Sequence, residues 1–405
     1  MAGATLTTVA NILKDLYLPP VTEQLNSEVL LLQRVEARSQ ELVGNQAVLP
    51  VHSLRSGGIG SRGEDIDLPT AGNQGYAKAT YDLVYNYGRI RVTGPSMAKT
   101  RKDVGAFLQT LKGELDGIRN DLKKDVARQL YNDGSAQICA VASESSDVIT
   151  LGTGGEEAIR KGQLYVGQIV DIGEVGNYDA QMAAGEITAV TVGTPSITVG
   201  SSIFTGTASG NEFVIRSGNA VSSSSVYEMS GLGNLISTTA GTFGGIDASA
   251  AGNDYWDNGR DTAGGAFQLN TFQKALNTVR VEGGETSLVT TSFGLRRVAA
   301  NQLEPQQRFS NTTDLKGGFT SVEINGVPLV ADVDHPFGKM YFLDEKTIKI
   351  FHDRDWHFLD EDESILKWVT NRDAYEAVLA RYMQIGASRR NTNYVISGLT
   401  DATGI

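Results

Sequence analysis

The order of two neighbouring segments constrains this chain most. A Gly-rich extended stretch over residues 46–95 runs into a helical period over residues 100–132. Val104, Leu108, Leu111, Leu115, Ile118, Leu122, Val126 and Leu130 recur every three or four positions and so share one helical stripe. Lys102, Lys112, Glu114, Asp116, Arg119, Asp121, Lys124 and Arg128 fall on the remaining faces. A helix of about 30 residues spans roughly 45 Å, longer than most small domains are wide, and reads as a strut. Gly105, Gly113 and Gly117 interrupt it, each costing about 1 kcal/mol against alanine. Either another backbone packs closely on that face or the glycines form a built-in bend.

Before the strut, residues 48–51 read as a strand and residues 56–63 as a glycine tip. Tyr81, Leu83, Tyr85 and Tyr87 alternate as a period-two strand, so the stretch describes one long two-stranded arm. A lone hairpin is marginal in water, so the arm needs a surface to lie on. Ahead of it, residues 6–16 and 20–34 have helical spacing broken at Pro19 and Pro20, and the run Val29–Leu32 expects a packing partner.

After the strut, residues 148–221 hold a dense series of short strands, at 163–170, 185–192, 196–199 and 212–215. Turns separate them at the intervals of a small barrel or sandwich. Residues 231–263 read as loop, 269–279 and 292–302 as helices, and 287–290, 321–324 and 327–331 as strands. Strands at 340–343, 347–352 and 365–369 close the chain with 374–384, a helix or a long strand. The architecture is α+β.

Composition narrows the function classes. A net charge of −12 argues against a chain whose main work is gripping nucleic acid. The single cysteine, Cys139, forms no intrachain disulfide and reads as a buried structural thiol, so folding in a cytoplasm is expected. No apolar run is long enough to span a membrane, and residues 1–10 lack the pattern of a signal peptide.

Few residue patterns in the chain carry chemistry. Gly58, Gly60 and Gly63 match the letters of a dinucleotide fingerprint, but no helix opens after them and no Lys-Ser/Thr pair follows, so a hairpin tip is expected. Arg55 and Arg62 there are placed to pair with a neighbouring chain's carboxylates. His352 and His357 with Asp353, Asp355 and Asp360 make one cluster of ligand-type residues, and Asp332, Asp334 and His335 a second. Neither has a zinc or calcium spacing, and both read as solvated turn residues, the two histidines on opposite faces of a strand. Asp360–Glu363 reads as a solvated acidic turn. No catalytic residue, metal site or cofactor is assigned, and the chain is not expected to be an enzyme.

The element order, with the stretch from Asn325 to Leu343 (NGVPLVADVDHPFGKMYFL) and that from Arg372 to Leu379 (RDAYEAVL), resembles the major capsid proteins of tailed phages. This is the Hong Kong 97-type fold, shared with encapsulin shells. The resemblance implies an N-terminal helical arm over 1–45, an extended E-loop over 46–95 and a peripheral domain with spine helix over 96–147. It implies further an inserted β domain over 148–221, an axial domain over 222–339, and a return to the peripheral domain with a C-terminal tail over 340–405. It implies a virion shell subunit, assembled in the host cytoplasm as hexamers and pentamers of itself around double-stranded DNA. A scaffold, a portal, a decoration protein and non-specific contact with DNA are the further partners, and no membrane is. Some members cross-link through an E-loop lysine; here the arm's only lysine is Lys78, far from the tip, so noncovalent cohesion is expected. An encapsulin-type shell is the alternative within the fold, and a β-rich surface or glycan-binding protein the alternative outside it.

Overall fold

The computed structural model describes residues 30–400 apart from 37–39, 43, 45, 96–103, 146, 175–182, 201–210, 223–224, 304–311, 316–318 and 360–365. The helices expected over 6–16 and most of 20–34 lie outside the described residues, as does the acidic turn at 360–363. What remains of the second helix, Leu30–Glu36, buries Leu31, Leu32 and Val35 against the chain's own body. Arg34 forks onto Glu345 at 2.8 and 2.9 Å, which fixes that docking.

The strut is a single helix, Val104–Tyr131, of 28 residues and about 42 Å. Its C-terminal half is buried on more than the expected stripe. Leu122, Val126, Ala127, Leu130 and Tyr131 enter the core, and Arg128, expected off the apolar stripe, is buried as well, together with Asp125. Among the described residues no atom of another element lies within 4 Å of where a Cβ on Gly117 would stand, so none of them explains the glycine by close packing. The packing glycine lies on the strand beneath the helix. A Cβ on Gly88 would come within 2.9 Å of Ile118.

The segment expected as one arm divides in two. Gln46–Leu54 and Gly75–Asp82 pair with each other as a two-stranded sheet, and residues 55–74 between them carry no strand. Val84–Thr93 instead joins a six-stranded sheet, running antiparallel to Ala374–Ala387 over ten register positions. The sequence left the latter between helix and strand. Pairing decides it, with Val84–Thr93 on one side and Ile348–His352, His357–Phe358 and Lys367–Trp368 successively on the other. Ladder partners on both edges override weak local propensity.

Gln137–Ser145, Val148–Leu151, Ile169–Glu174, Ala183–Thr191, Ser196–Val199 and Glu212–Arg216 close into a six-stranded barrel. Cys139, Val141, Ile149, Leu151, Ile172, Ile187, Ile197 and Val214 form its core. It begins at Gln137 rather than at 148, and residues 163–168 are turn rather than strand. Burial pushes the Cys139 thiol up to about 12, as a structural thiol requires.

A seven-stranded sheet forms the rest of the body, in the order Gly259–Asp261, Tyr394–Ile396, Met340–Leu343, Leu288–Thr291, Val327–Ala331, Phe319–Ile324, Thr312–Leu315. Helix Leu269–Val281 buries Phe272, Ala275, Leu276 and Val279 in the second core cluster, where Phe272 packs on Phe342 at 4.9 Å. Met340–Leu343 and Tyr394–Ile396 therefore belong to this sheet and do not start a return to the other one at residue 340.

Candidate assembly interface

The arm is fixed at its root and bare toward its tip. Ala47, Val51, Ala79 and Tyr81 are buried in the main core. The Tyr81 hydroxyl donates to the Ala387 carbonyl at 2.9 Å and accepts from the Ala387 N–H at 3.2 Å. Its ring stacks on Phe351 at 5.7 Å over Gly386, where a Cβ would strike both rings. Burial pushes Tyr81 up to about 12 and keeps it neutral and hydrogen-bonded. Val48 on the outer face of the root and, further out, Leu54, Ile59, Ile66, Leu68 and Tyr76 are all exposed, Ile59 and Leu68 by more than four-fifths. Six large apolar side chains on one projection make a patch that a solitary soluble chain has no reason to keep.

The expected tyrosine row is split accordingly. Tyr81 serves the root, while Tyr85 and Tyr87 stand half-exposed on the sheet, edge-on to Tyr382 at 4.9 and 5.9 Å. Arg62 donates to the Asp67 carbonyl at 3.1 Å and shapes the tip. Arg55 is exposed.

The second ligand-type cluster is not solvated. Asp332, Asp334 and His335 are buried to 6%, 4% and 0% exposure where the long helix, the barrel and the body meet. The Tyr131 hydroxyl and the Leu31 N–H donate to one Asp332 oxygen at 3.0 and 3.3 Å, and the Asp334 N–H donates to the other. From the barrel side, Gln163 donates to Asp334 at 3.3 Å and Lys161 to both Glu157 and the His335 carbonyl. Glu157 accepts from the Phe337 N–H at 3.1 Å. Burial, and then the neighbouring Asp332 charge, push Asp334 up to about 6. Burial pushes His335 well down, so the imidazole is neutral and its Nδ1 donates to the Pro336 carbonyl. The arrangement clamps barrel to body. A polar cavity of about 690 Å³ lies alongside, bordered by Asn132, Glu157, Lys161, Asp334 and Lys339.

His352 and His357 sit on two different strands, opposite Met383 and Ala380, with Asp355 exposed in the turn between. The expectation of opposite faces of one strand was wrong because that turn intervenes. Among the described residues no group of His, Cys, Asp and Glu has the arrangement of a metal site. No described helix is long and apolar enough to cross a membrane.

Sequence reading missed three polar anchors. Arg128 bridges Asp125 and Glu228 beneath the barrel, Lys161 caps the clamp, and Arg390 is fully buried, donating to the carbonyls of Leu235, Gly241 and Asn234 at 2.8 to 2.9 Å. Asp125 and Glu157 are local partners of Arg128 and Lys161, but burial of all three anchors depends on groups distant in sequence, Glu228, the His335 carbonyl and the carbonyls around Leu235, which no local signal discloses.

No family model and no curated protein sequence matches the chain. Solved structures do. A cyanophage A-1(L) capsid subunit is 12% identical over 98% of this chain and 100% of its own, with a TM-score of 0.62. The capsid of a native GTA particle is 9% identical over 99% and 100%, with a TM-score of 0.54. The SrpI encapsulin of Synechococcus elongatus is 8% identical over 100% and 98%, with a TM-score of 0.53. The chain has the α+β Hong Kong 97-type capsid fold that its element order anticipates.

Proposed function

We propose that this chain is the major capsid subunit of a tailed phage, assembling with copies of itself into hexamers and pentamers of an icosahedral shell around double-stranded DNA. The observation that carries this reading is the arm, with a root bonded into the core and outer apolar side chains that stay exposed among the described residues. Burial of those side chains on a second copy would satisfy the patch and add one more contact to a lattice of repeated interfaces. Full-length likeness to phage capsid subunits supports the same reading. On this reading the peripheral domain comprises the arm, the long helix and the six-stranded sheet, the axial domain centres on the seven-stranded sheet, and the barrel is the insertion. The chain works as a virion component rather than as an enzyme, with scaffold, portal and decoration proteins as further partners.

Purified protein examined by size-exclusion chromatography and negative-stain microscopy tests this directly. Closed shells, or hexamers and pentamers that convert to them, are expected, and a monodisperse monomer at high concentration overturns the proposal. The likeness to an encapsulin favours a second reading, a protein-storing compartment. Nuclease-protected DNA inside particles made in the native host selects the phage head, and protein cargo without DNA selects the compartment.

A further inference from the structure

The barrel carries an apolar core of its own, and none of the residues in that core belongs to either core cluster of the body. Its bonds to the body are polar and gather at two places, a root and a contact away from the root. At the root both connections pass from body to barrel within a few residues. Asn132 still bonds back into the long helix and Gln137 opens the first barrel strand, while Gly134 and Ala136 between them hold φ of +85° and +62°. On the return, the Gly218 N–H donates to Asp171 of the barrel at 2.9 Å, whereas the Asn219 side chain donates to Glu228 of the body at 2.6 Å. Gly218 has φ of +81° and open space where a Cβ would stand. Left-handed backbone is costly for alanine, so the buried Ala136 is held there by its surroundings. The two pivots lie side by side, since Ile215 pairs with Gln137.

Away from the root, Gln163 meets Asp334, Lys161 meets the His335 carbonyl and lies 5.2 Å from the Phe337 ring, and Glu157 meets the Phe337 N–H. Two cavities border this contact, that of about 690 Å³ and a second of about 260 Å³ reaching Lys124, Tyr165 and Arg216, and Gln163 and Asp334 form part of the wall of both. No shared apolar surface would have to be torn for the contact to part. We propose that the barrel is a hinged module, pivoting at Gly134–Ala136 and at Gly218, and that the contact of Glu157, Lys161 and Gln163 with residues 334–337 is a latch that opens as pH rises.

Ionisation of Asp334 works the latch. A neutral carboxyl is cheap to bury and still accepts from Gln163, whereas its anion shares a buried site with Asp332, and swinging the barrel away admits water to it. Lys161 on the barrel and Lys124 on the long helix draw the other way, but burial and the Asp332 charge outweigh them, so the proton leaves at about 6. Of the other charges around the two cavities, Arg128 and Arg216 are engaged by Asp125 and Glu228, and Glu157 by Lys161. Asp121 on the long helix and Lys339 on the body add one charge of each sign, and His335 stays neutral. With Asp334 back near an ordinary value of about 4 once the latch is open, the ratio of closed to open forms falls by up to about 100-fold between pH 4 and pH 7. The hinge is a property of one subunit and goes beyond the shell reading.

A distance measured across the hinge in full-length protein tests it. Val192 on the barrel and Val281 on the body are exposed, so spin labels on Val192→Cys and Val281→Cys report their separation while the buried Cys139 stays unlabelled. Labelled chain is diluted with unlabelled chain so that only distances within one molecule are read. A single narrow distance is expected at pH 5, and a second, broader population beside it at pH 8. Asp334→Asn should hold the narrow distance at both pH values, and Gln163→Ala should show the broad population already at pH 5, with circular dichroism confirming that each variant is folded. Independently of labels, amide exchange at residues 133–137 and 217–219, corrected for its intrinsic pH dependence, should quicken from pH 5 to pH 8 in wild type and not in Asp334→Asn. An unchanged narrow distance in wild type at both pH values, unchanged corrected exchange, or a pH-driven broadening that persists in folded Asp334→Asn overturns the inference. Shell formation is followed separately by microscopy, so any of these failures leaves the shell reading standing.

Discussion

Replacing Gly117 with alanine separates what the long helix does in one subunit from what it does between subunits. Glycine inside a helix costs about 1 kcal/mol relative to alanine. Among the described residues the added methyl would meet no atom of another element within 4 Å, so none of them offsets that gain. The unassembled subunit should therefore become more stable by about 0.5–1 kcal/mol in urea unfolding followed by circular dichroism. The same methyl stands on the floor of the groove between the helix and Arg89–Arg91, a surface that a neighbouring subunit would cover on the shell reading. Shell formation should fall even though the subunit gains stability, a combination that simple damage does not produce. Gly88 sets the contrast. An alanine there would press within 2.9 Å of Ile118 and 3.5 Å of Leu122, so loss of about 1–3 kcal/mol is expected before assembly begins. A Gly117→Ala subunit less stable than wild type would refute this account and would mean that the helix is bent or gripped at that point.

Other outcomes follow from the same geometry. Arg390→Met leaves three buried carbonyls without their donor and should cost about 3 kcal/mol or more in thermal or urea unfolding. Tyr81→Phe removes the hydroxyl that both accepts from and donates to Ala387, and should cost about 1–3 kcal/mol and speed hydrogen exchange at the arm root. Asp334 is raised from an ordinary value near 4 to about 6, so its folded form holds a proton that the unfolded chain releases first. Its contribution is complete below pH 4 and lost as pH rises through 6, an effect of about 3 kcal/mol. Asp334→Asn should abolish that part of the pH dependence, read as the difference between variant and wild type from pH 4 to 7, with Asp332, Lys161 and Lys124 still present. Mature particles should run at monomer mass on denaturing gels, since the arm's one lysine, Lys78, sits opposite Pro50 on the shaft rather than at the tip.

What the sequence disclosed follows from range of interaction. The long helix and the strands Val327–Ala331 and Met340–Leu343 stand where periodicity placed them, because a buried stripe or a solid run of buried residues is written locally. Ala374–Ala387 remained ambiguous since its character comes from ladders formed with residues nearly 300 positions away. The tyrosine series misled for a related reason. Alternation at Tyr81, Tyr85 and Tyr87 is continuous, yet the chain passes between sheets at Leu83, and no periodic signal marks the transfer. Asp332, Asp334 and His335 looked like surface residues because polarity alone says nothing about partners, and theirs are Tyr131, Leu31 and Gln163. The tip was legible as a glycine-rich projection, but its exposed apolar residues Ile59, Ile66 and Leu68 stand out only once the root is seen bonded into the core.

The barrel's first and last strands are neighbours, with Phe213 opposite Ala140 and Ile215 opposite Gln137. Its two connections to the body thus leave side by side, about one strand spacing apart. A foreign domain whose own termini are adjacent could be spliced between Ala136 and Ser217 without stretching either junction. Such an exchange would forfeit the Glu157, Lys161 and Gln163 contacts while leaving the arm untouched. The fold thereby provides a cassette position, with the attachment geometry already set by its hydrogen-bonded ends.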